Sequence, residues 1–286
     1  MKFAFLLMYE LRAINKTYEG LYNNLIKPYD ADIFICVQKT FPDDYEMLNL
    51  FNENIICKEI YDKPDPNIYF GSENNLNITD PVAERHHNWN IYSNLQIYIN
   101  YHKMAKLISN YIDKYDYFII IRCDSYILFP FPDKQLFENM PESMYFIDAN
   151  YCKKWGDNGI ATFVHRNYIL DYLNSYYNII SNPLYKPEIK NILKTSNTLN
   201  QENFQNKCLY LLNLTDKIKK INNLNYYWTA EKINDYNTWS CPHYHPIYNN
   251  VICKYDEQCY EAHQNYNLWL DGKRWKINND KCFYLG

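Results

Sequence analysis

Apolar residues along the chain fall into short continuous runs set between polar stretches, and only some of the longer segments repeat with a helical period. Phe3-Ala4-Phe5-Leu6-Leu7-Met8 is the first run, the pattern of a strand buried on both faces. A helix is predicted after it, capped by Thr17, with Leu21, Leu25 and Ile26 on one stripe and Pro28 as its stop. Asp32-Ile33-Phe34-Ile35-Cys36-Val37 then predicts a second buried strand. Strand, helix and strand within 37 residues make a βαβ unit, whose parallel strands imply an α/β sheet.

The same reading predicts a third strand at Ile55-Ile60, nearer an edge, and a long Pro- and Asn-containing loop up to residue 88. Trp89 to Ile112 carries a helical stripe of Leu95, Ile99, Met104, Leu107, Ile108 and Ile112. Phe118-Ile119-Ile120-Ile121 is the most apolar run of a predicted central strand, and it ends on Arg122-Cys123-Asp124. A further strand is predicted at 144–148, followed by the segment Trp155 to Val164, and helices at 167–177 and 201–212. Beyond residue 225 the periodicity dissolves into predicted aromatic coil. The expected organisation is one α/β domain over 1–225, with an irregular extension over 226–286 packed on it.

Composition narrows the function classes. A net charge of −4 and a pI near 6.0 lack the basic excess that coating nucleic acid requires. The 31 tyrosines follow an AT-rich amino-acid usage, so single tyrosines carry little functional weight. The N-terminal apolar run is too short for a signal peptide, and no stretch approaches the roughly 18 apolar residues of a membrane span. A soluble, cytoplasmic protein is expected, with its nine cysteines mostly reduced and the sequons at Asn15, Asn77 and Asn213 without meaning.

Chemistry concentrates first at Arg122 and Asp124. In open α/β sheets ligands sit beyond the carboxyl ends of the strands, where these two residues fall. A carboxylate there can hold a divalent cation that bridges two phosphates, and an arginine can pair with phosphate directly. The competing expectation is a strand-end ion pair between Arg122 and Asp116 or Asp124. Cys241, His243, His245, Cys253, Cys259, His263 and Cys282 invite a zinc reading, but their spacings match no paired Cys or His pattern. His86 and His87 are expected to face solvent.

The order of segments resembles GT-A-fold glycosyltransferases found among bacterial and large-virus surface-polysaccharide enzymes. The matching features are the strand Phe3 to Leu7, Arg12, the helix at 17–27 and Ala31-Asp32-Ile33-Phe34-Ile35. Then come Tyr115-Asp116 leading to Arg122-Cys123-Asp124, an R-x-D variant of that family's Asp-x-Asp, followed by Gly156-Asp157-Asn158-Gly159 and a helix opened by Glu202. The likeness covers residues 2 to 212.

The resemblance implies a GT-A-like domain with a mostly parallel sheet flanked by helices. It implies a nucleotide-sugar pocket walled by Tyr9, Arg12, Gln38, Asn94, Tyr98, Arg122 and Asp124, and a Mn²⁺ or Mg²⁺ ion held by Asp124 with His243 or His245. Each has a plain alternative: Tyr98 as core, Asn94 as a solvated helix residue, the histidines as a surface pair. Asp157 would be the catalytic base, with Trp155 beside it to stack on a sugar ring; Glu202 competes for the same role. A turn aspartate and a first-turn glutamate favoured by the helix dipole are their structural counterparts.

The expected function is transfer of a sugar from a nucleotide diphosphate donor, UDP most often in similar folds, to a glycan or glycoprotein. Two rivals stand beside it. A sugar-nucleotide nucleotidyltransferase would place a glycine-rich loop after its first strand, where Tyr9-Glu10-Leu11-Arg12 has no glycine. A catalytically silent carbohydrate-binding protein would keep the fold and lose the first acid.

Overall fold

The computed structural model describes residues 1–11, 13–39, 46, 48–51, 54–62, 91–148, 161–195, 201–230, 247–248, 251–253, 255–279 and 282–286. Strand β1 (Phe3–Tyr9) leads into α1 (Ile14–Leu21), which continues through a π-helical turn (Tyr22–Ile26) and a last turn (Lys27–Tyr29) to β2 (Asp32–Gln38) and β3 (Ile55–Tyr61). Next come α2 (Ile91–Ile108), β4 (Tyr117–Ile121), β5 (Ser125–Ile127), the short α3 (Lys134–Phe137), β6 (Met144–Ile147) and β7 (Ala161–His165). Helices α4 (Arg166–Ser181), α5 (Lys186–Thr195) and α6 (Gln201–Leu211) precede β8 (Ile218–Ile221) and β9 (Tyr226–Ala230). The chain then forms β10 (Ile247–Tyr248), β11 (Val251–Cys253), α7 (Asp256–Leu270), β12 (Trp275–Asn278) and β13 (Cys282–Leu285).

Nine strands form one sheet in the order β12-β13-β8-β6-β7-β4-β1-β2-β3. Five of its eight pairings are parallel; β12 with β13, β6 with β7 and β7 with β4 are antiparallel. The continuous apolar runs follow from burial on both faces. Phe3, Phe5 and Leu7 pack with Ile14 and Leu21 of α1 and Leu25 of the π-helical turn on one side. Ala4, Leu6 and Met8 pack with α2, α4 and α6 on the other. The mixed α/β class and the mostly parallel sheet expected from the sequence are present.

Two local expectations are corrected. Thr17 is not a cap: it lies inside α1, fully buried, and its hydroxyl donates to the Ala13 and Cys123 carbonyls. Pro28 does not stop the helix either, because the wider π turn stands just ahead of it, where the ring would otherwise meet a carbonyl one turn back. The end falls at Asp30, in the left-handed conformation at φ 49°.

The larger correction concerns residues beyond 225. The described ones are not irregular coil: β12 and β13 extend the main sheet beside β8, and β9, β10 and β11 join β5 in a second sheet of order β10-β11-β9-β5. Phe283 is fully buried against Phe137 (ring centroids 4.7 Å apart) and Tyr145 (5.3 Å), so this region shares the main core.

Candidate functional site

Strand order fixes where a crevice can form. From β1 the chain crosses one face of the sheet through α1 to β2; α2 returns across the opposite face to β4, on the other side of β1. The carboxyl ends of β1 and β4 therefore flank a topological switch point, the position where open α/β sheets bind ligands. Arg122-Cys123-Asp124 is the turn that leaves β4 there and closes with the Ser125 amide donating to the Arg122 carbonyl at 3.1 Å.

Several contacts clamp this turn. The Cys123 thiol donates to the Glu10 carbonyl at 2.8 Å, tying it to the loop after β1. Thr17 of α1 donates to the Cys123 carbonyl. One turn further along α1, Gly20 lies so close to β5 that a Cβ built there would meet the Ile127 carbonyl oxygen at 3.0 Å. Asn24 then donates to that same oxygen at 2.9 Å. Sequence reasoning passed over Thr17 and Gly20 as site supports. Gly20 did carry a signal: with only six glycines in 286 residues, one inside an apolar helical stripe marks a close backbone approach.

Arg122 and Asp124 pair with each other. Arg122 Nε donates to Asp124 Oδ1 at 2.9 Å and Nη2 donates to Oδ2 at 2.6 Å, the bidentate geometry of the strongest ion pairs. Burial acts against the guanidinium charge, but Asp124 outweighs it by attraction and hydrogen bonding, with smaller help from Cys123 and Tyr255, and raises the pKa of Arg122. Tyr255, just before α7, comes from the region read as coil; no sequence signal pointed to it. Asp116 takes no part, since it accepts from the Lys2 amide at the other end of β4.

The remaining predicted residues divide into those the fold brings to this edge and those it does not. Gln38 ends β2 and is 95% buried, its backbone paired with Tyr61 of β3. Tyr98 has the core position that was its alternative reading: fully buried, it stacks on Tyr176 of α4 at 4.1 Å and packs on Phe204 of α6. Arg12, Trp155, Asp157, His243 and His245 lie outside the described residues, as do the side chains of Tyr9, Asn94 and Glu202. Asp148, the residue after β6, and Ala161, which opens β7, stand at the same sheet edge as Asp124.

No protein-family model matches the chain, and no curated protein is similar to it. Solved structures it resembles include glycosyltransferases. Mouse xyloside xylosyltransferase 1 is 10% identical, with a TM-score of 0.41 over 77% of this chain and 84% of that one. Core-mannan synthase A from Aspergillus fumigatus, in a Mn/GDP form, is 10% identical with a TM-score of 0.42 over 81% and 75%. A glycosyltransferase involved in glycosylating the major capsid of PBCV-1 is 11% identical, with a TM-score of 0.36 over 79% and 85%.

The described residues do not fit a divalent cation at this turn. Both Asp124 oxygens accept from Arg122, and among the described residues no group of three His, Cys, Asp or Glu side chains converges. No described helix is long and apolar enough to cross a membrane.

Proposed function

We propose that the chain is a glycosyltransferase that moves a sugar from a nucleotide diphosphate donor, UDP foremost, to a glycan or glycoprotein acceptor. The observation that carries the reading is the bidentate Arg122–Asp124 pair on a clamped turn at the topological switch point, where a diphosphate would meet a fixed guanidinium. The ordered motifs along residues 2 to 212 support the same assignment.

In this reading the acceptor hydroxyl attacks the anomeric carbon while the bond from that carbon to the diphosphate oxygen breaks. The electron pair leaves on the diphosphate, whose growing charge Arg122 stabilises. Asp157, or Glu202 in its place, takes the hydroxyl proton, as an inverting transfer requires. Arg12 and Gln38 would border the nucleoside, and Trp155 the sugar.

Incubation with UDP-, GDP-, CMP- and TDP-sugars tests this against both rivals. Release of the free nucleotide from one donor, accelerated by an acceptor glycan, supports the transferase. Pyrophosphate formation would assign a nucleotidyltransferase, and no turnover of any donor a silent binding protein.

A further inference from the structure

The two partners of the ion pair are unequally open to solvent. The Arg122 side chain is 33% exposed and that of Asp124 only 2%. The turn therefore presents its cationic member outward and keeps its carboxylate behind. A ligand reaching the pair intact meets positive charge, so the ligand it suits is an anion.

A metal ion on Asp124 would have to share oxygens that each already accept an N–H from the guanidinium. That sets a dication against the guanidinium charge and weakens two charge-assisted hydrogen bonds. Rearrangement of the backbone is opposed as well, because Thr17 and the Glu10 carbonyl hold Cys123 on either side. The carboxylate fixes the plane of the guanidinium fork, and a planar fork is the geometry that receives a phosphate.

Resting on the transferase reading above, we infer that this turn binds the donor's diphosphate through Arg122 without a divalent cation at Asp124, and that Asp124 is a positioning residue that orients the arginine. The pair does at the strand end what a carboxylate-bound metal does elsewhere: it sets fixed positive charge against the leaving group.

Isothermal titration of the full chain with UDP and with GDP, in EDTA and in Mn²⁺, tests this. The expected result is the same affinity in both buffers within about threefold. Arg122→Met should weaken binding about 10- to 100-fold, the worth of a charge-assisted phosphate contact. Asp124→Asn should weaken it less, in both buffers alike. Arg122→Lys keeps the charge without the fork and guards against a folding defect in the methionine variant; it should retain part of the affinity. Binding that appears only with Mn²⁺ and vanishes in Asp124→Asn would overturn the inference while leaving the transferase reading standing. Failure of every nucleoside diphosphate to bind in either buffer would bring down both.

Discussion

The Arg122–Asp124 pair makes a quantitative demand on stability. Exposed ion pairs contribute about 0–1 kcal/mol, whereas removing one partner of a fully buried pair costs about 3–5 kcal/mol. With one side chain 33% exposed and the other 2%, a coupling energy of about 2 kcal/mol is expected from a double-mutant cycle on Arg122→Met and Asp124→Asn. The two single variants should differ. Arg122→Met leaves a carboxylate stranded beyond the reach of water and should cost about 3 kcal/mol; Asp124→Asn leaves a guanidinium that solvent can partly hydrate and should cost about half as much. Urea unfolding of the four proteins at pH 7, followed by circular dichroism, gives the cycle directly. A coupling below about 0.5 kcal/mol, or the opposite order of the single variants, would refute a desolvated pair with its carboxylate inward.

Three other outcomes follow from the same geometry. Gly20→Ala puts a Cβ 3.0 Å from the β5 backbone at Ile127, so denaturant titration should show a loss of about 1–3 kcal/mol instead of the gain an ordinary helix position gives; a gain would mean that α1 does not press on β5. Phe283→Ala should cost about 3–5 kcal/mol by the same measurement, and a loss under about 1 kcal/mol would return the last strand to the periphery. Burial lowers the pKa of His165, against a smaller pull from Glu142, and its Nδ1 accepts the Asn167 amide at the start of α4. The folded protein thus holds this ring neutral, the unfolded chain takes up the proton first, and stability should fall as pH drops below about 6.5. His165→Gln should flatten that part of the pH–stability curve, and an unchanged slope would assign the acid sensitivity elsewhere.

Much of the fold was legible because its central strands are covered on both faces and so print unbroken apolar runs: Phe3 to Met8, Ile33 to Val37 and Phe118 to Ile121. The region after 225 was not. β10 has two residues, β11 three, and β12 alternates buried Trp275 with exposed Lys276, so their pairing comes from distant partners and leaves little local period. Tyr98 illustrates the same limit inside a helix, since its place on α2 was readable but its burial depended on Tyr176 and Phe204, dozens of residues away.

At the candidate site the division is similar. Sequence alone put a guanidinium and a carboxylate two residues apart at the end of a buried strand, because apolar runs and their polar ends are local properties of the chain. Which of the two faces solvent is a property of the packed molecule. It depends on α1 lying against β5, on Thr17 and Glu10 gripping Cys123, and on the late β9 pairing with β5. Burial is set by neighbours far apart in sequence, and burial decides whether an ion pair offers a cation or an anion to its ligand.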